Sequence, residues 1–94
     1  MATGVDQLLA VLAEPTRRAI VDMLRVGALR AGEIHAAFPI ADPAISRHLR
    51  VLREAGVVVE RRVPADARVR VYELVPSALA ELATWINQLA QHQP

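Results

Sequence analysis

Apolar residues recur at every third or fourth position along most of this chain, and that spacing predicts amphipathic helices. We expect five helices, which span about residues 5–13, 15–27, 31–38, 43–55 and 77–92. The first is apolar around most of its circumference, so it needs cover on more than one side. Only a few residues separate the third helix from the fourth, which predicts the tight turn of a helix-turn-helix.

Between the fourth and fifth helices the hydrophobic period changes from 3.6 residues towards two. Residues 57–63 and 68–74 are rich in β-branched and basic side chains, and the turn formers of 64–67 lie between them. This pattern predicts the two strands of a β-hairpin. The predicted fold class is therefore mainly α with a small β-hairpin: four helices, two strands and a fifth helix, forming one winged helix-turn-helix domain over residues 1–94.

The fourth predicted helix has two different faces. Ile45, Leu49 and Leu52 recur at helical spacing, so we expect them to be buried. The other side has no acid before Glu54 and carries cationic, hydrogen-bonding or small residues, namely Ala44, Ser46, Arg47, His48, Arg50 and Arg53. Such a face suits contact with something anionic.

Residues at both ends of the fourth helix favour its boundaries. Pro43 suits a first helical turn, and we expect the Asp42 side chain to cap that turn. Gly56 is expected to end the helix in the left-handed conformation.

The net charge of +1 is unevenly distributed along the chain. Residues 47–70 carry seven arginines and three acids, a net charge of +4, whereas residues 1–46 and 71–94 carry −1 and −2. This asymmetry points to a polyanionic partner. Every cation is an arginine, which suits phosphate and guanine edges, but a coding bias towards Arg and Ala explains the same composition and carries more weight.

Composition excludes several classes of function. The absence of cysteine excludes disulfides, thiolate metal sites and cysteine nucleophiles. No apolar run reaches the roughly 18 residues of a membrane span, and the first residues lack the basic region of a signal peptide, so we expect a cytoplasmic protein without membrane contact. A hydrophobic content of 53% in so short a chain suggests a partner subunit.

Enzyme chemistry lacks its usual residue patterns in this sequence. Ser46 and His48 are two positions apart on a helix and face different directions, so they cannot form a nucleophile–base pair. The chain has no glycine-rich phosphate loop, no plausible carboxylate pair and no metal-ligand spacing. We therefore predict that the protein is not an enzyme and uses no cofactor.

Several segments in a specific order resemble the ArsR-type winged-helix repressors along nearly the whole chain. The motif Pro43-Ala-Ile-Ser-Arg-His-Leu49 carries much of the likeness. The other segments are Leu12–Ile20, Gly32–Ile34, Val51–Val57, Val71–Leu74 and Pro76–Leu82. The resemblance implies a homodimer on a pseudo-palindromic operator, with the fourth helix in the major groove, the hairpin as the wing and the terminal helices as the dimer seam.

This resemblance and the basic residues together give the expected site residues. The expected DNA-binding residues are Ala44, Ser46, Arg47, His48, Arg50, Arg68 and Arg70. The expected dimer residues, on helices of about 5–13 and 77–92, are Leu8, Leu12, Leu82, Trp85, Ile86 and Leu89. Metal sensors of this family have cysteines on the third helix or Asp and His ligands on the last one. Here the last helix offers only Glu81 and His92, so we expect no metal site.

Structural explanations for these polar residues remain open. Arg50 could pair with Glu54 one helical turn away, and His48 could pack locally against backbone. The hairpin arginines could simply prevent aggregation through an edge strand. Two of them, Arg61 and Arg62, point to opposite faces, so at most one can join Arg68 and Arg70 in binding DNA.

Three further polar residues have mainly structural interpretations. We expect Arg17 and Arg18 to tie the second helix to its neighbours, and His35 to be exposed.

Two functional alternatives also remain. One is a winged helix that serves as a protein-interaction module, with the basic hairpin docked on an acidic partner. The other is a DNA-binding repressor that also binds a small organic effector in the seam between terminal helices. The sequence identifies neither an effector nor an operator.

Overall fold

The computed structural model describes residues 4–91. Its helices are α1 (Gly4–Leu12), α2 (Pro15–Leu24), α3 (Ala31–Ala36), α4 (Asp42–Glu54) and α5 (Ala80–Ala90), and its strands are β1 (Leu29–Arg30), β2 (Val58–Val63) and β3 (Asp66–Leu74). The predicted fold class is confirmed. The predicted last helix opens as a 3-10 turn, Pro76–Leu79, and its predicted end at His92 lies outside the described residues.

The sheet has three antiparallel strands in the order β1-β3-β2. The hairpin of β2 and β3, here called the wing, was predicted, but β1 was not, because two residues are too few to show a strand period. Val63 lies opposite Asp66, so the turn contains only Pro64 and Ala65 rather than the predicted four residues. The register shifts between Arg62 and Val63, where the ladder contains an irregularity.

One apolar core joins the helices to the sheet. The predicted inner stripe of α4 is confirmed, because Ile45, Leu49 and Leu52 are each at most 2% exposed. The other buried core residues are Leu8, Val11, Ile20, Leu24, Ile34, Val57, Val58, Tyr72 and Leu82. Burial of this stripe fixes the opposite face of α4 towards solvent, because the two faces belong to one rigid helix.

The C-terminal end of α4 has the predicted glycine signal. Gly56 has a φ of 78°, in the left-handed region. Its N–H donates to the Arg53 carbonyl at 3.0 Å, and the Val57 N–H donates to the Leu52 carbonyl at 3.0 Å. These two bonds form a Schellman motif, which satisfies carbonyls left free by the helix end and turns the chain into β2.

The predicted cap at the start of α4 is wrong. Asp42 lies within the first turn, Ala41 occupies the N-cap position, and no side chain caps the helix. The Asp42 carboxylate instead lies 3.1 Å from Nδ1 of His35 on α3. His35, which we expected to be exposed, has a side chain that is only 16% exposed.

The first two helices are fastened by arginines, as the sequence predicts. Arg17 donates from Nε to the Val11 carbonyl at 2.6 Å, and Arg18 donates from Nη1 to the Leu12 carbonyl at 2.8 Å. Both bonds satisfy carbonyls at the end of α1.

Within residues 4–91, every helix is too short or too polar to span a membrane.

Candidate nucleic-acid interface

The exposed face of α4 presents two unpaired arginines. Arg47 and Arg50 are both exposed, three residues apart, and neither forms a hydrogen bond or ion pair with any residue of 4–91. The alternative pair of Arg50 with Glu54 is therefore not formed. Two guanidiniums on one helix face are available to an external anion, and each offers a fork of donors that fits phosphate or a guanine edge.

The smaller predicted residues of α4 lie beside these arginines. Ser46 is exposed and Ala44 is half-buried. A shallow cavity of about 370 Å³ lies at this end of the helix and is lined by Ala41, Pro43, Ala44, Arg47 and His48. The N-terminal half of α4 therefore combines a small apolar surface with a cation at its edge.

His48 is largely enclosed by the protein. Its side chain is 17% exposed, and Nδ1 lies 3.3 Å from Nη1 of Arg17 and 3.6 Å from Oε2 of Glu14. Burial works against ionisation of Glu14, but backbone N–H groups of Thr16 and Arg17 and the charges of His48 and Arg17 hold its pKa below the usual value. His48 therefore packs locally, as the structural alternative predicts. The neighbours of its Nδ1 atom are side chains, however, and not backbone groups.

Arg68 lies at the wing tip and binds an acid of its own strand. Its side chain is 91% exposed, and its guanidinium contacts Asp66 through Nε at 3.1 Å and Nη2 at 3.3 Å. The Arg68 side chain, followed by its backbone N–H, lowers the pKa of the Asp66 carboxyl. Much of the Arg68 charge is therefore already balanced within the wing.

A second pair of wing arginines shares one face of the hairpin. Arg62 and Arg70 lie directly opposite each other in the β2–β3 register, and both are exposed. Like charges opposite each other destabilise a sheet unless an anion lies between or near them. Arg70 has no hydrogen bond or ion pair within the described part of the chain, 4–91, whereas Arg62 donates to the Ala67 carbonyl at 3.3 Å.

The two-residue period of β2 separates Arg61 from Arg62, as predicted. Arg61 forms an ion pair with Glu73, whereas Arg62 lies 3.7 Å from Glu60. Arg62 is therefore the one that shares a face with Arg70. The strand alternation predicted that only one of the two arginines shares a face with Arg70, but the choice between them depends on the pairing register of β2 and β3.

One cation that the sequence places on the outer side of α4 is held by the wing. Arg53 donates from Nη1 to Oε2 of Glu60 on β2 at 2.7 Å. The exposed row of α4 therefore has two free arginines followed by one that is neutralised.

The residues expected at a dimer seam fall into two groups. Leu8 and Leu82 belong to the core of the single protomer, at 5% and 8% exposure, and Leu12 is half-buried. Trp85, Ile86 and Leu89 are 38%, 48% and 59% exposed. Leu9 on the adjacent helix α1, which is not among the predicted dimer residues, is 43% exposed. The large apolar side chains that α1 and α5 expose are thus Leu9, Trp85, Ile86 and Leu89, here called the seam patch.

One further cavity is large enough for a small ligand, whereas no metal-binding group of side chains is present among residues 4–91. An open, largely apolar cavity of about 580 Å³ is lined by Leu12, Arg18, Ala19, Val21, Asp22, Arg25, Leu74 and Leu79. Within residues 4–91, no group of three or more His, Asp or Glu side chains could hold a metal ion.

Comparison with known proteins gives a consistent family match. Residues 14–59, which span α2 to the start of β2, match the sequence profile described as bacterial regulatory protein, arsR family. The HTH-type transcriptional regulator Rv2034 of Mycobacterium tuberculosis is 47% identical over 83 residues, covering 88% of this chain and 75% of that protein. The transcriptional repressor SdpR of Bacillus subtilis is 32% identical and covers 87% of this chain and 88% of its own length.

A solved structure supports the same match. The crystal structure of a possible transcriptional regulator for arsenical resistance superposes with a TM-score of 0.76 at 45% sequence identity. The alignment covers 89% of this chain and 83% of that one.

Proposed function

The chain belongs to the arsR family of bacterial regulatory proteins, and we propose that it is a homodimeric, DNA-binding transcriptional repressor. In this proposal the two copies of α4 enter successive major grooves of a pseudo-palindromic operator, about 34 Å apart. The observation that carries it is the pair of exposed arginines on α4, Arg47 and Arg50, which have no partner within residues 4–91. The relatives named as repressors support the direction of regulation.

The proposed contacts divide between base reading and phosphate binding. Ala44, Ser46 and Arg47 lie in the first two turns of α4, the part of a recognition helix that faces base edges. We assign Arg50 and the wing residue Arg70 mainly to phosphates, because they are exposed cations without a described partner.

His48 and Arg68 stay in the proposed contact surface with smaller expected effects. Each already binds a residue of its own protomer, Arg17 for His48 and Asp66 for Arg68. A contact with DNA would therefore have to compete with an existing bond or use the remaining donor atoms.

The proposed dimer uses the seam patch rather than all six predicted residues. Leu8 and Leu82 support the seam from within the protomer core, whereas Trp85, Ile86 and Leu89 present apolar area to a second copy. Twofold symmetry would place two such patches against each other, which removes both from water. We further propose that the protein acts in the cytoplasm, where bacterial DNA lies, and needs no metal or other cofactor.

Fluorescence anisotropy on the DNA upstream of the gene tests the proposal. Affinity should fall steeply with salt, with a log–log slope of about −0.9 for each phosphate neutralised, because bound arginines release counterions. Absence of binding at low salt, or a slope near zero, would contradict the proposed function.

Arginine variants test the division of labour. Arg47→Ala should cost about 1–3 kcal/mol on the operator and relax base preference, whereas Arg70→Ala should weaken all sequences alike. Arg25→Ala is the matched control, since Arg25 is an exposed arginine at the C-cap position of α2 that already pairs with Asp22. If Arg47→Ala and Arg70→Ala change specificity equally, the assignment of roles is wrong.

The alternatives from the sequence have their own tests. A protein-interaction module would capture an acidic partner after nuclease treatment and would be indifferent to operator sequence. An organic effector bound in the seam between the terminal helices would raise the melting temperature in a thermal-shift screen.

A further inference from the structure

Glu60 is a largely buried acid at the junction of α4 and the wing. Its side chain is 15% exposed. Oε2 accepts hydrogen bonds from Nη1 of Arg53 at 2.7 Å and from the Tyr72 hydroxyl at 2.9 Å, while Oε1 lies 3.7 Å from Nη2 of Arg62. One carboxylate therefore joins the last turn of α4 to both strands of the wing.

Glu60 is an acid on the proposed DNA-binding side of the protein, beside the arginines of α4 and the wing. A carboxylate near phosphates lowers affinity for DNA, so attraction to the duplex does not account for it. The other wing acids, Glu73 and Asp66, also form ion pairs, but their side chains are more exposed than that of Glu60, at 42% and 40%. Charge-assisted bonds such as those of Glu60 are stronger when they are removed from water.

The register of the sheet explains how Glu60 reaches α4. Glu60 lies opposite Tyr72, which is 3% exposed and belongs to the core. The Tyr72 hydroxyl donates to the Glu60 carboxylate, and burial of Tyr72, followed by this hydrogen bond, raises the pKa of the phenol. The core side chain thus holds Glu60 in place, and Glu60 in turn holds Arg53.

Arg53 is the third member of a row with Arg47 and Arg50, each three residues after the one before. Residues at this spacing lie close to one another along a helix surface. Of the three, only Arg53 forms an ion pair within residues 4–91.

We propose that Glu60 is a positioning residue for DNA recognition, which fixes the wing relative to α4 and withholds Arg53 from phosphates. This inference rests on the proposed function and adds a determinant of specificity to it. When the angle between the wing and α4 is fixed, both elements can bind at once only to an operator of matching shape. Because Arg53 is held by Glu60, the protein also has one phosphate contact fewer on any other duplex, which reduces non-specific binding.

The test compares operator and random-sequence DNA for the wild-type protein and three variants over a range of salt. Glu60→Gln should lower the ratio of the two affinities about tenfold, because it weakens the charge-assisted bond that holds the wing against α4. It should also steepen the salt slope by about 0.9, because Arg53 becomes available to one more phosphate.

Two comparisons separate positioning from charge. Arg53→Ala should lower the same ratio without steepening the salt slope. Because the Arg53 side chain is partly exposed, this variant tests the link to Glu60 even if Glu60→Gln destabilises the fold. Glu73→Gln removes an equal charge from the same wing but frees Arg61, on the face that does not contain Glu60. It should leave the ratio unchanged.

A measurement without DNA checks the link itself. Tyr72 is the single tyrosine of the chain, so absorbance at high pH reports its ionisation alone. Glu60→Gln should lower the pKa of Tyr72 towards the ordinary value of 10.0, and Glu73→Gln should leave it unchanged.

The outcomes distinguish this inference from the proposed function. If the wild-type protein binds no DNA, the proposed function fails and the positioning role fails with it, even if the tyrosine titration shows the link to be present. If the wild-type protein prefers its operator and Glu60→Gln keeps the same ratio, or Glu73→Gln lowers it equally, only the role of Glu60 is overturned.

Discussion

Replacement of Leu89 by alanine tests the proposed dimer seam quantitatively. Leu89 is 59% exposed in the protomer, the largest exposed fraction in the seam patch. Full burial of a leucine side chain contributes about 1.5–3 kcal/mol, so burial of the exposed part would contribute about 1–2 kcal/mol. A twofold seam contains two copies, and alanine retains one carbon of each, which leaves a loss of about 2–3 kcal/mol per dimer.

That loss corresponds to a dimer dissociation constant raised about 30- to 150-fold. Dilution series followed by sedimentation or light scattering would measure it directly. Val26→Ala is the matched control, because Val26 is 87% exposed in the connection between α2 and β1 and lies outside the seam patch. Equal dissociation constants for Leu89→Ala and the wild-type protein would refute the proposed seam.

Three further variants test the structural basis of the site. Gly56→Ala should lower the free energy of unfolding, measured in urea, by about 1–2 kcal/mol, because Gly56 has a φ of 78°. Gly32→Ala is the control: the space around both glycines is open, but Gly32 has no positive φ, so this change should not destabilise α3. Leu52→Ala should lower the free energy of unfolding by about 2–5 kcal/mol, since this side chain of α4 is fully buried in the core. Glu14→Gln should reduce stability at neutral pH, and its difference from the wild-type protein should shrink as pH falls below about 4.5, because a lowered folded-state pKa contributes stability only where the carboxyl is ionised.

The sequence predicted those features of the fold that depend on local periodicity or on glycine. The inner stripe of Ile45, Leu49 and Leu52 followed from helical spacing, and the end of α4 followed from Gly56. The hairpin followed from the change of period. Strand β1 was missed because Leu29 and Arg30 become a strand only by pairing with β3, a contact distant in sequence.

The roles of polar side chains in the site were harder to predict, because their partners come from other elements. The sequence predicts Asp42 as a cap, but its carboxylate lies beside His35 of α3 instead. The sequence predicts His48 as a DNA contact, but Arg17 of α2 and Glu14, the N-cap residue of α2, lie beside it. Arg53 looked equivalent to Arg50, and only the fold brings Glu60 to it. A spacing pattern gives the face of a helix, not the residue that covers it.

Hydroxyl-radical footprinting of the wild-type protein on the DNA upstream of its gene tests the central claim most directly. Two copies of α4 in successive major grooves predict two protected segments, related by a twofold axis and centred about 34 Å apart along the duplex. A single protected segment, two segments at another spacing, or uniform cleavage at low salt would contradict the account.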